Sequence, residues 1–194
     1  MRIILGSQSP FRRKVLTDAG WEFEVITPDI DEKAIRHDDP ENLTLALAKA
    51  KAEAVLAKAR AAGKTPAVII TSDQVVVCNG KILEKPQSAE EARQVLHGYA
   101  KHPAQTVTAV AVINAENGRE AAGVDIVSVF FRPIEEESIE NFIASGSAFR
   151  CAGSFNSEDT HIKPFITKME GTPDSVSGMP LALTERLIEE VGGR

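Results

Sequence analysis

Short apolar segments alternate with helix signals along this chain, and the alternation restricts its fold to few architectures. Residues 2–5 (RIIL) are predicted to form a strand. A helix is predicted to follow, with Ser9 as its N-cap, Pro10 at its first position and Gly20 just after its end. Further strands are predicted at 21–26, 67–70, 106–113 and 124–131, and further helices at 40–63, 88–99, 135–145 and 181–191. The pattern predicts an α/β protein.

Two tight turns make the predicted sheet a mixed one. Asn79-Gly80 follows the extended residues 75–78 and is typical of a two-residue hairpin that returns along 81–84. Asn117-Gly118 joins two later strands in the same way. Because hairpins pair antiparallel strands, we expect a mixed β-sheet flanked by helices.

The composition is that of an ordinary globular protein. With 194 residues, 43% of them hydrophobic, and no repeat or linker, residues 1–194 are predicted to form a single domain. A net charge of −6 argues against binding to nucleic acid, whose phosphates need basic partners. The apolar runs are too short to span a membrane, and the first residues lack the apolar region of a signal peptide. We therefore expect a cytoplasmic protein that binds neither nucleic acid nor membrane.

A basic cluster opens the first helix. Arg12, Arg13 and Lys14 lie in its first turn, where the helix dipole disfavours each cation by roughly 0.3–1 kcal/mol. Together with the hydroxyls of Ser7 and Ser9, the cluster would suit a polyphosphate that also binds the helix N–H groups. A solvated basic turn is the alternative interpretation.

Asp73 and Lys85 lie on either side of the first hairpin. A carboxylate at the end of a buried strand is a catalytic candidate in an α/β protein, although Asp73 could equally cap a turn. The hairpin is expected to return Lys85 close to Asp73. The two would then form a plain ion pair, or a phosphate-binding cation beside a catalytic carboxylate.

Acidic residues at 29–32 form a second candidate site. Asp29, Asp31 and Glu32 could ligate a hard divalent ion, because Mg²⁺ takes one or two carboxylates together with substrate phosphates. An acidic surface loop is the alternative, above all for Asp29. Lys51, in a helix rich in alanine, is by its residue type alone typical of a solvated face. The four histidines show no metal-binding spacing.

Seven segments resemble, in order and spacing, the motifs of Maf-family nucleoside triphosphate pyrophosphatases. They are SQSPFRR (7–13), PDIDE (28–32), LAKAKAEAV (47–55), SDQVVV (72–77), EKP (84–86), CAGSF (151–155) and SGMPL (177–181). The resemblance implies an elongated mixed α/β fold similar to the inosine-triphosphate pyrophosphatase group, with the active site in a cleft between two lobes, and often a homodimer. It also implies hydrolysis of a nucleoside triphosphate to the monophosphate and pyrophosphate, with a divalent metal cation, Mg²⁺ or Mn²⁺, as cofactor.

The resemblance also implies roles for individual residues. By motif position, Asp73 becomes the catalytic carboxylate that accepts a proton from water, and Glu32 becomes a second carboxylate near metal or water. Glu32 and Asp73 would be the metal ligands. The phosphate-binding groups would be the cations Arg12, Arg13, Lys51 and Lys85, beside the Ser7 hydroxyl.

Three positions separate two branches of this family. In dTTP/UTP pyrophosphatases the positions of Phe11, Gln74 and Glu158 look like Arg, Thr and Gln, and in 7-methyl-GTP pyrophosphatases they look like Trp, Gln and Glu. The chain resembles the second branch at two positions and has an aromatic residue at the third. A cationic 7-methylguanine would stack on the Phe11 ring, and a carboxylate would accept its N1 and N2 hydrogens. Phe11 could instead be a core residue of its helix.

Three features depart from the family pattern. Glu84 stands where a glycine is usual, Ala109 replaces another glycine, and the segment around 101–103 looks longer. The leading hypothesis is hydrolysis of 7-methyl-GTP or a related modified nucleotide. The alternatives are a dTTP/UTP pyrophosphatase and a non-catalytic nucleotide-binding regulator of cell division.

Overall fold

The structure is a computed structural model that describes residues 2–193. Its strands are β1 (Ile3–Leu5), β2 (Glu24–Val25), β3 (Val68–Cys78), β4 (Lys81–Leu83), β5 (Ala104–Asn114), β6 (Glu120–Phe131) and β7 (Ile166–Glu170). Its α-helices are α1 (Pro10–Asp18), α2 (Pro40–Ala61), α3 (Ala89–Gly98), α4 (Glu136–Ala144), α5 (Pro173–Val176) and α6 (Leu181–Glu190). Each predicted helix is present, and the short α5 is additional.

The seven strands form one sheet with the order β2-β1-β3-β5-β6-β7, and β4 pairs with β3 outside this path. β1 runs parallel to β2 and β3, whereas β4 is antiparallel to β3 and β7 is antiparallel to β6. Leu5 lies opposite Ile70, so the loop after β1 begins beside residues 71–73. The predicted hairpin and the mixed sheet flanked by helices are confirmed. The cleft between two lobes stays a prediction.

The chain divides into two compact units. Unit 1 comprises Met1–Gln74, Thr108–Asp125 and Pro173–Arg194, and unit 2 comprises Val75–Val107 and Ile126–Thr172. Each unit is therefore built from segments that are distant in the sequence. The single domain expected for residues 1–194 stays a prediction.

Two hydrophobic clusters cover the sheet in unit 1. Ile4 packs with the alanines of α2, whereas Leu5 and Ile70 pack with Leu16 of α1 and Leu187 of α6. Adjacent residues of a strand face opposite sides of a sheet. Helix α2 therefore covers one face, and α1 and α6 cover the other.

An aromatic cluster forms part of the core of unit 2. Tyr99 stacks on Phe131 with 5.4 Å between ring centroids, and Phe155 packs edge-on against both rings. The Tyr99 hydroxyl donates to the Gly153 carbonyl at 2.5 Å. Burial raises the pKa of this phenol well above its usual value. These contacts anchor the CAGSF segment to the end of α3.

The strands differ from the prediction in three places. β2 has only two residues, fewer than the predicted strand at 21–26. The polar residues 71–74 were expected to end a strand, but β3 continues through them to Cys78. Their side chains are hydrogen-bonded, as when Thr71 Oγ1 donates to the Ala48 carbonyl at 2.7 Å, so the strand need not stop. β7 was not predicted, because this edge strand is exposed or only half-buried and carries little hydrophobic pattern.

The sequence predicted no membrane-spanning segment, and the helices of the structure can be compared with that expectation. Within residues 2–193, none of them combines the length and the apolar character that a bilayer crossing requires.

Gly6 lets the turn after β1 lie against β3 and α2. A Cβ at this position would lie 2.5 Å from Thr71 Cγ2 and 2.8 Å from Val55 Cγ2, and both side chains are buried. Gly6→Ala is therefore expected to lower the free energy of unfolding by about 1–3 kcal/mol through overpacking, measured by urea denaturation. The matched control is Gly98→Ala, because nothing lies within 4 Å of a Cβ there. Equal losses in the two variants would contradict overpacking at Gly6.

Candidate functional site

The loop between β1 and α1 borders a polar cavity in unit 1. The cavity measures about 270 Å³, and its lining residues are Gly6, Ser7, Gln8, Ser9, Arg12, Pro28, Glu32 and Lys51. Ser9 caps α1 as predicted, because its Oγ accepts from the backbone N–H of Arg12 at 3.4 Å. The SQSPFRR and PDIDE segments and helix α2 therefore meet at one cavity.

Arg12 is held by three acceptors in unit 1. Its Nη1 donates to the Ser72 carbonyl at 2.8 Å and to Ser7 Oγ at 3.3 Å, and its Nε donates to the Gly178 carbonyl at 3.1 Å. No acceptor among residues 2–193 is bonded to Nη2. A guanidinium fixed in this way keeps two N–H donors for a ligand. Arg12 is therefore not part of a solvated basic turn.

The other two cations of this turn have different surroundings. Arg13 is half-buried, its Nη2 donates to the Ser7 carbonyl at 3.4 Å, and its Nε is buried without a partner in the described part of the chain. Lys14 is exposed and pairs with Asp18 at 2.7 Å along the helix. In this turn, Arg12 Nη2 and Arg13 Nε are therefore N–H donors that lack an acceptor within residues 2–193.

Lys51 joins Asp73, the predicted catalytic carboxylate, to Glu32, the predicted second carboxylate near metal or water. Its Nζ lies 2.6 Å from Asp73 Oδ1 and 3.0 Å from Glu32 Oε1. Lys51 and Asp73 are each 7% exposed, so Lys51 is not on a solvated face. The hydrogen bond from Thr71 to the Ala48 carbonyl ties β3 to α2 close to this pair. The structure thus brings Glu32, Lys51 and Asp73 together.

Burial and neighbouring charges act on Asp73 in opposite directions. Burial raises the pKa of the Asp73 carboxyl above its ordinary value, Lys51 and Arg12 oppose this rise, and Glu32 adds to it. Burial also lowers the pKa of the Arg12 guanidinium, and Asp73 and Glu32 oppose that effect. Arginine nevertheless stays protonated in proteins. A carboxylate with a raised pKa is a stronger proton acceptor, so Asp73 suits the role of a general base.

Glu32 and Asp73 are also the residues that fit a divalent cation. Each has one carboxylate oxygen that is not bound to Lys51, and hard cations prefer such oxygens. Asp31 has another role, because its side chain caps the 3-10 turn Glu32–Ala34. No group of three or more His, Cys, Asp or Glu placed to hold a metal occurs among residues 2–193. The donor set therefore fits an ion that also takes phosphate and water oxygens.

Two of the three predicted base-selecting residues lie in unit 1. Phe11 is 45% exposed, so it is not a core residue of its helix. The Gln74 amide is held at both ends, since its Oε1 accepts from Thr108 Oγ1 at 3.0 Å and its Nε2 donates to the Val176 carbonyl at 3.1 Å. Its orientation is therefore fixed. Selection of the base by these residues stays a prediction.

Lys85 and Glu158 lie in unit 2. Lys85 is exposed, and the preceding Glu84 carbonyl accepts from the Gly153 N–H at 2.9 Å, which joins the EKP and CAGSF segments. Glu158 is exposed and pairs with Lys163 at 2.8 Å. The expected proximity of Lys85 to Asp73 and the role of Glu158 stay predictions.

Sequence reasoning gave no role to Ser72 and Gly178, whose backbone carbonyls accept from Arg12. Both lie in segments that carry the family resemblance, SDQVVV (72–77) and SGMPL (177–181), but nothing in those segments pairs them with an arginine. The burial of Lys51 did have a sequence signal. Leu47 and Val55 lie four residues before and after it, and both are on the buried side of α2.

Comparison with known proteins supports the resemblance seen in the motifs. A model of the family described as "Maf-like protein" matches residues 2–191. The chain is 41% identical over 192 residues to a 7-methyl-GTP pyrophosphatase of Dictyostelium discoideum, covering 97% of this chain and 96% of that protein. It is 38% identical over 186 residues to a 7-methyl-GTP pyrophosphatase of Idiomarina loihiensis, with 95% and 92% covered. It is 34% identical over 190 residues to a dTTP/UTP pyrophosphatase of Vibrio parahaemolyticus, with 98% and 97% covered. Because the family match spans nearly the whole sequence, the chain belongs to the Maf-like protein family.

Proposed function

We propose that this Maf-family nucleoside triphosphate pyrophosphatase hydrolyses 7-methyl-GTP, or a related modified nucleotide, to the monophosphate and pyrophosphate. The observation that carries the proposal is the buried ion pair of Asp73 with Lys51, because Lys51 lines a polar cavity that Arg12 and Glu32 also line. The arrangement supplies a carboxylate base and phosphate-binding cations in one place. The likeness to relatives named 7-methyl-GTP pyrophosphatase supports the choice of base.

Asp73 is the proposed general base. Water attacks the α-phosphorus, the bond from that phosphorus to the bridging oxygen breaks, and pyrophosphate leaves with the electron pair. Asp73 takes the proton of the attacking water. Its raised pKa makes this transfer more favourable, and Lys51 at 2.6 Å favours the ionised form that can accept the proton.

Arginine side chains are the proposed partners of the phosphate chain. Nη2 of Arg12, a residue that lines the cavity, has no acceptor within residues 2–193, and Arg13 is proposed as a second phosphate-binding cation. Guanidinium donors directed at phosphate oxygens stabilise the negative charge that grows on the leaving pyrophosphate. The Ser7 hydroxyl accepts from Arg12 and from the Ser9 N–H, so its own proton is available to a phosphate oxygen. Lys85 is proposed as a further phosphate-binding cation.

A divalent cation, Mg²⁺ or Mn²⁺, is the proposed cofactor. Glu32 and Asp73 would hold it through the carboxylate oxygens that are not bound to Lys51. When bound, the ion would neutralise phosphate charge and act as a Lewis acid toward phosphate oxygens. Glu32 lines the cavity, where it is accessible to such an ion.

Three side chains are proposed to select a modified purine as the base. The exposed ring of Phe11 is available to stack on a cationic 7-methylguanine. Glu158 is proposed to accept the N1 and N2 hydrogens of that base. Gln74, whose amide is fixed by two hydrogen bonds, is proposed to complete the selection.

A substrate panel tests the proposal. Pyrophosphate release from 7-methyl-GTP, dTTP, UTP and CTP is measured with Mg²⁺ and with Mn²⁺. We expect kcat/KM to be at least about tenfold higher for 7-methyl-GTP than for the pyrimidine nucleotides. Equal or greater activity on dTTP or UTP would assign the chain to the other branch. Tight nucleotide binding without turnover would instead support a non-catalytic regulator.

A further inference from the structure

The SGMPL segment (177–181) contacts the site through one carbonyl group. The Gly178 carbonyl accepts from Arg12 Nε at 3.1 Å and from Ser72 Oγ at 2.8 Å. The carbonyl of Ser72 in turn accepts from Arg12 Nη1 at 2.8 Å. Arg12, Ser72 and Gly178 are therefore joined pairwise by three hydrogen bonds. Of the three, Ser72 directly precedes Asp73 in the sequence.

Residue 178 has no room for a side chain. Gly178 has a φ of +85°, and a Cβ there would lie 2.8 Å from Gln74 Oε1 and 3.0 Å from Arg12 Nε. Gln74 Oε1 is already bonded to Thr108, and Arg12 Nε is bonded to the Gly178 carbonyl. Neither atom can move away without straining or losing a hydrogen bond.

We propose that Gly178 is a positioning residue of the pyrophosphatase site. Its carbonyl fixes the Nε side of the Arg12 guanidinium, so that Nη2 is directed to the phosphate chain. A guanidinium held in place before the ligand arrives loses less conformational entropy on binding. The proposal rests on the proposed function for the nature of the ligand, whereas the hydrogen bonds that support it involve unit 1 alone.

Substitution of two glycines tests the role of Gly178. Gly178→Ala is expected to lower kcat/KM for 7-methyl-GTP by about 100-fold, the effect of a misplaced positioning group. The affinity for inorganic pyrophosphate, measured by calorimetry, should also fall. Gly20→Ala is the matched control, since φ is +77° and nothing lies within 4 Å of a Cβ there. It introduces the same backbone strain and should leave kcat/KM and pyrophosphate affinity close to the wild-type values. Equal losses in the two variants would overturn the proposal.

A double-mutant cycle distinguishes positioning through Arg12 from a general loss of structure. Arg12→Lys removes Nε and with it the bond to the Gly178 carbonyl. Adding Gly178→Ala to Arg12→Lys should then lower kcat/KM much less than Gly178→Ala does alone. A fully additive loss would overturn the proposal.

Ser72→Ala gives a second test that adds no atoms. It deletes one of the two donors to the Gly178 carbonyl and should lower kcat/KM several-fold. The melting temperature of the protein should change little. If Gly178→Ala does not fold, this variant decides the question. A wild-type kcat/KM for Ser72→Ala would then overturn the proposal.

Pyrophosphate binding separates this proposal from the proposed function. If the wild-type protein hydrolyses no nucleotide but binds pyrophosphate more tightly than Gly178→Ala does, the activity is wrong and the positioning role stands. If the wild-type protein hydrolyses 7-methyl-GTP, and Gly178→Ala does so with the same rate and affinity, the positioning role is wrong and the activity stands.

Discussion

Asp73→Asn is expected to lower kcat for pyrophosphate release by about 10²–10⁴-fold, the range for loss of a general base. The Asn amide has the shape of the carboxylate but cannot take a proton from water. Lys51 keeps Glu32 as an ion-pair partner at 3.0 Å, so the cation remains in place. The affinity for nucleotide should therefore change little. Pyrophosphate release measures the loss of kcat, and calorimetry with 7-methyl-GTP measures the retained binding.

A second carboxylate provides the control for this experiment. Asp18 is exposed and pairs with Lys14 on the surface of α1, so Asp18→Asn removes one negative charge away from the cavity. Its kcat should stay at the wild-type value. Normal turnover by Asp73→Asn would show that another group accepts the proton.

Lys51→Met is expected to lower the free energy of unfolding by about 3–5 kcal/mol at a pH where Asp73 is ionised. The substitution keeps a long apolar side chain but leaves the buried Asp73 carboxylate without the ammonium that lies 2.6 Å from it. Urea denaturation at a series of pH values measures the effect. Lys58→Met is the control on the same helix, because Lys58 is exposed and donates to a backbone carbonyl, that of Thr27. It should change stability by no more than about 0.5 kcal/mol.

The loss in Lys51→Met should depend on pH in one direction. Burial already raises the pKa of Asp73 and Lys51 opposes the rise, so removal of Lys51 raises this pKa further. A folded state that binds a proton more tightly than the unfolded state loses stability as the pH rises through the folded-state pKa. The deficit relative to wild type should be small in acid and grow toward neutral pH. A deficit that shrinks as the pH rises would contradict the pairing of Lys51 with Asp73.

The sequence predicted correctly those elements whose ends are set by interactions among a few neighbouring residues. Helix α1 begins where Ser9 caps it and Pro10 fits its first position, and Gly20 takes the left-handed conformation just after it ends. The β3–β4 hairpin is similar, because Asn79 and Gly80 both have positive φ values at the turn. Such local signals need no information about the rest of the chain.

The sequence named Glu32, Lys51 and Asp73, which the structure brings together, but it could not predict the geometry that holds the site. The acceptors that hold Arg12 include carbonyls 60 and 166 residues away along the chain, and no local pattern pairs them with an arginine. Lys51 was assigned to a solvated face from its residue type, whereas packing of α2 against β3 buries it. The family resemblance pointed to Arg12 and Lys51, because both lie at positions of the family motifs.

The division of unit 1 into three segments has a consequence for biosynthesis. Residues Met1–Gln74 contain Arg12, Lys51 and Asp73, but the acceptor for Arg12 Nε lies in the last segment, which begins at Pro173. Helix α6 of that segment also covers one face of the sheet. A nascent chain therefore holds all three charged groups long before the Gly178 carbonyl can fix the Nε side of Arg12. The hydrogen bonds that hold Arg12 and Ser72 can be completed only after residue 178 has left the ribosome, so some of the last contacts to form in translation lie at the candidate site.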